Sequence, residues 1–222
     1  MKKVAKTHRR QSKRGIRAEK TASASVAIGK LEKGQDVYIL TFGQFSLIDA
    51  LIAILHQTGP ADVIISTWTA AHAHLEKTAE LMMDENIRSL RMIVDRSFKT
   101  RQPEYFAHMI ERFGADSIRE TVTHAKFMTV RNDEWDIVVR TSMNLNENPR
   151  LENIEISEDK AFTDFFEAVT DEIFKEIAPI EKQTTLPKLE KIENTASFPL
   201  VKAGSISISK LKEASYGSTV SR

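Results

Sequence analysis

The 222-residue sequence contains no cysteine. Disulfides and thiolate metal centres are therefore excluded, and any metal ligands would have to be histidines and carboxylates. A run long and apolar enough to span a bilayer is also missing, since the longest apolar stretch, residues 47 to 55, is interrupted by Asp49. We therefore expect a soluble protein with one ordinary hydrophobic core. The lack of cysteine is compatible with the reducing cytoplasm, where we expect the protein to be located.

Charge is unevenly distributed along the chain. The formal net charge is +1, but residues 1 to 20 carry nine Lys and Arg against the single acid Glu19, which leaves the remainder acidic. Residues 1 to 30 have few large apolar side chains, so we predict a flexible arm there. The arm is either a solvated tail or a polybasic segment that neutralises nucleic-acid phosphates. In the second case the binding residues are Lys2, Lys3, Lys6, Arg9, Arg10, Lys13, Arg14 and Arg17.

Apolar patterns alternate between strand and helix from residue 31 onward. The β-branched run 62–67 is typical of a strand covered on both faces, and a helical stripe from Leu47 is stopped by Gly59 and Pro60. Further strands are predicted at 37–42, 88–95, 117–130, 136–142 and 153–156, and further helices at 74–85, 103–113 and 162–177. The order predicts one α/β domain over 31–180, a mixed β-sheet flanked by helices, followed by a polar, flexible tail over 181–222.

Polar side chains recur at the ends of successive predicted strands. Because side chains alternate across a strand, His124 and Lys126 in the run HAKFMTV share one face. The later strand ends add Arg140, Ser142 and Asn144 in VVRTSMN, and Asn153 and Glu155 in LENIEI. A single partly buried histidine is usually only hydrogen-bonded. Together, however, these residues supply an imidazole, a cation, a hydroxyl, an amide and a carboxylate, a set that suits a phosphodiester.

The chemistry of a phosphodiester explains why these residue types belong together. Phosphoryl oxygens need fixed donors and positive charge, which Lys126, Ser142 and Asn144 offer, and phosphorus needs an oriented nucleophile. An imidazole attacks through one ring nitrogen when the other holds its proton toward an acceptor. Glu155 beside His124 would provide that acceptor.

These motifs resemble the phospholipase D superfamily, whose signature is His-x-Lys with a later Asp, then Gly-Ser-x-Asn, then Asn-x-Glu. The matching segments are HAKFMTVR from His124, TSMN from Thr141 and NIE from Asn153. The resemblance covers roughly residues 37 to 178 and is carried by 122 to 156. Arg131 stands where the family has Asp, and Thr141 stands where it has Gly and is expected to narrow the phosphate site.

The resemblance implies an active site with two such motifs, in which one histidine forms a phosphohistidine and the other acts as general acid and then base, without metal or cofactor. This chain has one motif, so catalysis would require a homodimer that brings two copies of His124 together. The expected function is a metal-independent phosphodiesterase that cleaves nucleic acid rather than lipid. We expect DNA as its substrate in preference to RNA. The alternative is a non-catalytic nucleic-acid-binding protein that keeps the fold and the phosphate pocket.

Two features near residue 70 leave alternatives open. Trp68 follows the strand 62–67, where α/β folds place ligand-contacting loops, and it either stacks on a base or covers the core. His72, His74 and Glu76 contain metal-ligand residue types, but a two-residue spacing does not put both histidines on one helix face. We therefore expect no metal site here.

Overall fold

A computed structural model describes residues 10–145 and 150–180. The strands in these ranges are β1 (Lys13–Glu19), β2 (Gln35–Thr41), β3 (Ala61–Thr67), β4 (Ile87–Asp95), β5 (Ile118–Thr121), β6 (Phe127–Arg131), β7 (Asp136–Thr141) and β8 (Glu152–Glu158). The helices are α1 (Ala24–Ile28), α2 (Leu47–Thr58), α3 (His72–Met83), α4 (Ser97–Arg101), α5 (Pro103–Phe113) and α6 (Lys160–Glu176), with a 3₁₀ turn at Ala115–Ser117. None of the helices in the described ranges is long and apolar enough to cross a membrane.

The strands in the described ranges form one eight-stranded mixed sheet in the order β1-β2-β8-β7-β6-β3-β4-β5. Pairing is parallel between β1 and β2 and along β3, β4 and β5. It is antiparallel from β2 through β8, β7 and β6 to β3. Helices flank this sheet, so the predicted α/β class with a mixed sheet is confirmed.

Helix α2 shows how local sequence fixes the boundaries of an element. The Ser46 hydroxyl accepts a hydrogen bond from the Asp49 backbone N–H at 3.2 Å, and the Asp49 carboxylate accepts one from the Ser46 backbone N–H at 2.9 Å. This reciprocal capping satisfies two backbone donors at the start of the helix. At its end Gly59 has φ of +76°, a conformation that favours glycine.

The two faces of the sheet are covered unequally. One face carries the large core, in which strand residues such as Ile65, Met128 and Ile154 meet α1, α2, α3 and α5. The other face is covered by α6, whose Phe166, Ile173 and Phe174 pack on Ile64, Ile93 and Phe127. Neighbouring residues of one strand therefore face different surroundings, which decides where each polar side chain of the motifs points.

The predicted flexible arm is corrected by the structure. Residues Lys13–Glu19 form β1, which pairs in parallel with β2. The short α1 then buries Ala24, Ala27 and Ile28 after the capping residue Ser23. Small apolar residues and backbone pairing to β2 order this segment despite its charge. Residues 1–9 of the arm, and the tail predicted over 181–222, lie outside the described residues.

The single strand predicted over 117–130 is also corrected. The structure divides it into β5, beside β4, and β6, between β3 and β7, so β3 and β4 lie between them in the sheet. The connection, residues 122–126, therefore crosses the carboxyl ends of β3 and β4. His124 lies in this loop and not in a strand.

Arg131, at the end of β6, joins the sheet to α6. Its guanidinium bonds to Asp136 of β7 at 2.6 Å, to Asp164 of α6 at 2.5 Å and also to Glu167 of α6. Hydrogen bonds with Asp164 and Asp136 outweigh burial and raise the Arg131 pKa. The residue that departs from the family signature therefore has a structural task in this chain.

Replacing Arg131 by methionine is expected to destabilise the protein by about 2 kcal/mol, because it leaves three carboxylates without their shared cation. Urea unfolding at pH 7 measures the change. Arg91→Met is the matched control, since Arg91 makes one ion pair with the exposed Asp171 and its loss should cost less than about 1 kcal/mol. Equal losses in the two variants would contradict the role of Arg131 in fixing α6.

Candidate active site

The loop that carries His124 is fixed to the strand ends beneath it. The Thr123 backbone N–H donates to Asp95 Oδ2 at 3.0 Å, and the Ser66 hydroxyl donates to the Ala125 carbonyl at 2.9 Å. Asp95 ends β4, and Ser66 is the second-last residue of β3. These contacts hold residues 123–125 across the carboxyl edge of the parallel strands.

Asp95 is a buried carboxylate that the motif comparison did not identify. Burial alone would raise its pKa, but hydrogen bonds from the Ser97 side chain and from the backbone N–H groups of Ser97 and Thr123 bring the pKa below its usual value. Asp95 is therefore ionised at neutral pH. Its position at the carboxyl end of a β-strand is the signal from which sequence reasoning could have found it.

His124 and Lys126 lie close together at this edge. Lys126 Nζ is 3.1 Å from His124 Nδ1 and 3.2 Å from Nε2, and it donates to the His124 carbonyl at 3.1 Å. His124 is exposed and Lys126 is half-buried. Burial lowers the Lys126 pKa; the charge of Glu152 acts against this shift and that of Arg150 adds to it. The predicted pair thus presents an accessible imidazole beside a partly desolvated cation.

The turn after β7 brings the second predicted group to the same region. Ser142 Oγ donates to the Glu152 carboxylate and accepts the Asn153 backbone N–H at 3.0 Å. The Leu145 backbone N–H donates to the Thr69 carbonyl at 3.2 Å, which fixes this turn beside the Trp68 loop. Within the described residues, the buried Asn144 Oδ1 has no hydrogen-bond partner.

Thr141, the other departure from the family signature, supports the turn. Its hydroxyl donates to the Asn153 carbonyl at 2.7 Å and accepts the Met143 backbone N–H at 3.0 Å. Both partners are backbone groups. The hydroxyl therefore serves the turn between β7 and β8.

The structure corrects which glutamate lies beside this site. Glu155 stands opposite Arg140 in the β7–β8 ladder and forms an ion pair with it. Glu152, in contrast, lies two residues from Ile154 on the large-core face of β8. Lys126 lies in the loop directly before β6, two residues from Met128 of the same core. Its charge acts on Lys126 and its carboxylate accepts from Ser142. Sequence reasoning missed Glu152, although the alternation with the apolar Ile154 and Ile156 was available to indicate its face.

Asn153 contributes to the site through its backbone. Its N–H donates to Ser142, and its carbonyl accepts hydrogen bonds from Thr141 Oγ1 and from the Ser142 N–H at 3.3 Å. These bonds connect the start of β8 to the turn after β7. The supporting role predicted for Asn153 in the site stays a prediction.

Trp68 forms a wall of the same region. Its ring centroid is 5.7 Å from that of His124, with the planes inclined by 56°. The guanidinium of Arg101 lies 3.8 Å over the indole and donates to the Trp68 carbonyl at 3.0 Å. Trp68 is half-buried, so part of the indole remains accessible next to His124.

Most of the described arm cations bind within the chain. Arg10 pairs with Asp36 and with Asp159, and Lys13 pairs with Glu32 at 2.9 Å. Arg17 donates to the carbonyls of residues 27 and 28. Arg14 instead lines an open cavity of about 520 Å³, which Arg140 and Glu155 also line. The remaining predicted arm residues, Lys2, Lys3, Lys6 and Arg9, lie outside the described residues.

A second cluster of ionisable groups lies between α3 and α5. It contains His72, Glu76 and His108, and the ligand atoms of the three side chains all lie within 4.8 Å of one another. His74, which the sequence analysis considered with His72, is buried instead. Histidine and glutamate are residue types that bind metal ions.

Replacing Asp95 by asparagine is expected to destabilise the protein by about 1–3 kcal/mol at pH 7. The new NH₂ group cannot accept a hydrogen bond, so it leaves the backbone N–H of either Ser97 or Thr123 without its acceptor. The folded-state pKa of Asp95 is lowered, so its contribution is complete above the unfolded pKa of about 3.9 and is lost as pH falls through the folded value. Urea unfolding measures the free energy of unfolding of wild type and of Asp95→Asn. The difference between the two proteins should be smaller below about pH 4 than at pH 7. The exposed Asp133→Asn serves as control, and a difference unchanged by pH would contradict this assignment.

No protein-family model matches the sequence, and a comparison with curated proteins finds no match. Among solved structures the chain is similar to Nuc from Salmonella typhimurium, described as a phospholipase D family member. The identity is 16% and the TM-score 0.43, over 59% of this chain and 90% of that one. It is similar to NucT from Helicobacter pylori at 12% identity and a TM-score of 0.47, over 65% and 99% of the two chains. Polyphosphate kinase from Porphyromonas gingivalis shows 12% identity and a TM-score of 0.46, over 62% of this chain and 26% of the kinase. The similar structures thus include a member of the family that the sequence motifs resemble.

Proposed function

We propose that this protein is a metal-independent phosphodiesterase that cleaves DNA or RNA, with His124 as the nucleophile. The observation that carries the proposal is the exposed His124 imidazole 3.1 Å from the half-buried Lys126 ammonium. A nucleophilic ring nitrogen and a cation for phosphoryl oxygens are thereby presented together at the carboxyl edge of β3 and β4. Ser142 and Glu152 complete the arrangement.

Each group near His124 has a task that follows from its surroundings. Lys126 is partly withdrawn from water, which strengthens its attraction for a phosphoryl oxygen. Glu152 raises the Lys126 pKa by its charge, and this favours the protonated amine that phosphate binding requires. Glu152 also accepts from the Ser142 hydroxyl and so fixes that side chain.

Asn144 supplies an amide next to the Trp68 loop. Its oxygen is buried and has no hydrogen-bond partner in the described part of the chain. A half-turn of the amide exchanges oxygen and nitrogen and offers an N–H donor at the same place. Because this position is buried, the amide must also move outward to donate to a bound phosphodiester.

The reaction proceeds in two displacements. His124 attacks phosphorus through one ring nitrogen, so that a P–N bond forms as the bond to the leaving oxygen breaks. The imidazolium of the second copy of His124 gives its proton to that oxygen. Water then attacks phosphorus and passes a proton to the second imidazole, while the P–N bond breaks and its electron pair returns to His124.

The mechanism requires two imidazoles at one phosphorus, and each chain offers His124 alone in the motif. A homodimer with twofold symmetry would bring the two copies together. One imidazole must then be neutral and the other protonated, so they titrate as a coupled pair. The dimer is therefore part of the proposal.

The neighbourhood of His124 favours nucleic acid as the substrate. Trp68 offers an aromatic surface for a base, and Arg101 and Lys126 add positive charge close to it. A lipid phosphodiester has no base to use the indole. The residues around His124 therefore favour nucleic acid over lipid. The basic segment before β1 adds electrostatic attraction for a polyanion.

His124→Ala is expected to lower cleavage of plasmid and single-stranded DNA by at least about a thousandfold, because the nucleophile is removed. Purified wild type, His124→Ala and the control His56→Ala are incubated with DNA in excess chelator; His56 is exposed on α2, far along the chain from the motif. Wild type and His56→Ala should cleave equally. Sedimentation and thermal unfolding check that His124→Ala stays folded and dimeric.

Two results of that experiment would reject the catalytic proposal. Equal activity in His124→Ala would show that cleavage does not involve this imidazole. Binding of DNA or RNA without cleavage of either by any of the proteins would instead favour the non-catalytic nucleic-acid-binding function. A parallel reaction with RNA separates the two polynucleotide classes.

The two glutamates of β8 give a matched pair of variants. Glu152→Gln is expected to reduce cleavage about tenfold or more, since it removes the charge that favours protonated Lys126 and loosens Ser142. Glu155→Gln changes an ion pair with the exposed Arg140 and should leave the rate within about twofold. Single-turnover rates at saturating DNA measure both. The reverse order of effects would restore Glu155 as the carboxylate of the site.

A further inference from the structure

Helices α3 and α5 place two imidazoles and a carboxylate together, and none of the three belongs to the motif segments. His72 is the first residue of α3, and Glu76 lies one turn later on the same face of that helix. His108 comes from the facing helix α5. The three donor atoms lie within 4.8 Å of one another.

The contacts inside this cluster are specific. His108 Nε2 contacts Glu76 Oε1, while Nδ1 of the same ring is 3.9 Å from the Glu111 carboxylate. The ring of His72 stacks on that of His108, with centroids 4.1 Å apart and planes inclined by 17°. Each residue is thus held next to the others by its helix, and the His72 side chain is exposed.

We propose that His72, Glu76 and His108 bind one divalent transition-metal ion of the zinc class, which links α3 to α5. Zinc takes imidazole nitrogens at about 2.0–2.1 Å and carboxylate oxygens at about 2.0–2.2 Å, so tetrahedral ligand atoms are about 3.4 Å apart. The ligand atoms of the three side chains lie within 4.8 Å of one another. Each distance between them therefore has to shorten by about 1.4 Å at most for zinc to bind. Rotation of His72 and Glu76 about their side-chain bonds provides this movement.

The ligand set selects the kind of ion. Imidazole suits zinc, copper and nickel, whereas calcium and magnesium prefer oxygen ligands alone. Three protein ligands leave the fourth position to water. The exposed Glu111 carboxylate, 3.9 Å from Nδ1 of His108, would have to move closer to accept the second ring N–H, a contact that commonly orients a metal-bound histidine.

Arg112 is the competing partner of this site. Its Nε donates to Glu76 Oε1 at 3.0 Å, the same oxygen that His108 contacts. A metal ion must either displace this guanidinium or take the second carboxylate oxygen. Arg112 therefore weakens metal binding by occupying the carboxylate and by its own charge.

The metal site is separate from the proposed phosphodiester chemistry. No step at His124 uses the ion, so DNA cleavage in chelator remains the expectation of the proposed function. The two regions are nevertheless connected along the chain, because α3 begins directly after the loop that carries Trp68. A bound ion would fix the start of α3 and thus the end of that loop.

Isothermal titration of the metal-stripped, full-length protein with ZnCl₂ tests the proposal. Wild type should bind one ion per chain, and His72→Gln and His108→Gln should each weaken binding at least about tenfold. His56→Gln and His124→Gln should bind as wild type, although the second also lacks the proposed nucleophile. This variant separates the two proposals, since it removes cleavage and retains the ion. His72 is exposed, so we expect its replacement to leave folding intact. Thermal unfolding of the variant checks this expectation.

Removing the competitor gives a result in the opposite direction. Arg112→Gln should tighten zinc binding by about two- to fivefold, because the carboxylate of Glu76 is released. Zinc should also raise the melting temperature of wild type but not of His108→Gln. Equal affinity of wild type, His72→Gln and His108→Gln would overturn the site. The cluster would then be an ion-pair contact between α3 and α5.

Discussion

The carboxylate of Asp95 at the end of β4 is the contact on which the candidate site depends. It accepts the Thr123 backbone N–H and thereby fixes the loop of residues 122–126 across the carboxyl ends of β3 and β4. Buried backbone groups need such partners, and a loop that crosses strand ends has no ladder to satisfy them. Because Asp95 remains ionised despite its burial, its hydrogen bonds are charge-assisted. The position of His124 follows from this attachment.

The alternation of side chains along β8 decides which glutamate lies on the large-core face of the sheet. Glu152 lies on the large-core face with Ile154, whereas Glu155 points to the opposite face and pairs with Arg140. A shift of one residue along a strand exchanges its faces, so two glutamates three residues apart cannot play the same part. The acidic residue next to Lys126 is therefore fixed by the pairing of β8 with β2 and β7.

Arg131 and Thr141, which differ from the signature of the family that the motifs resemble, each have a structural contact in this chain. Only α6 among the described helices packs on the second face, and Arg131 fastens it through Asp164 and Glu167. An aspartate at this position would place a fourth acid beside Asp136, Asp164 and Glu167. Thr141 likewise satisfies backbone groups in the turn after β7. Both departures are thus compatible with a phosphate site, because neither residue is placed to bind a ligand.

The sequence by itself determined the alternation of strands and helices, the ends of α2 and α5, and the motif spacing of His124 with Lys126 and of Ser142 with Asn144. These features follow from local periodicity, capping residues and short motif spacing, which act within a few residues. Tertiary structure alone decided that Lys13–Glu19 joins the sheet, that β5 and β6 are separate strands, and that Glu155 pairs with Arg140 on the face opposite to Glu152. It also brought His108 to His72 and Glu76. The physical reason is that strand order and helix packing join residues far apart in the chain, and no local pattern specifies which distant surface each element will bury.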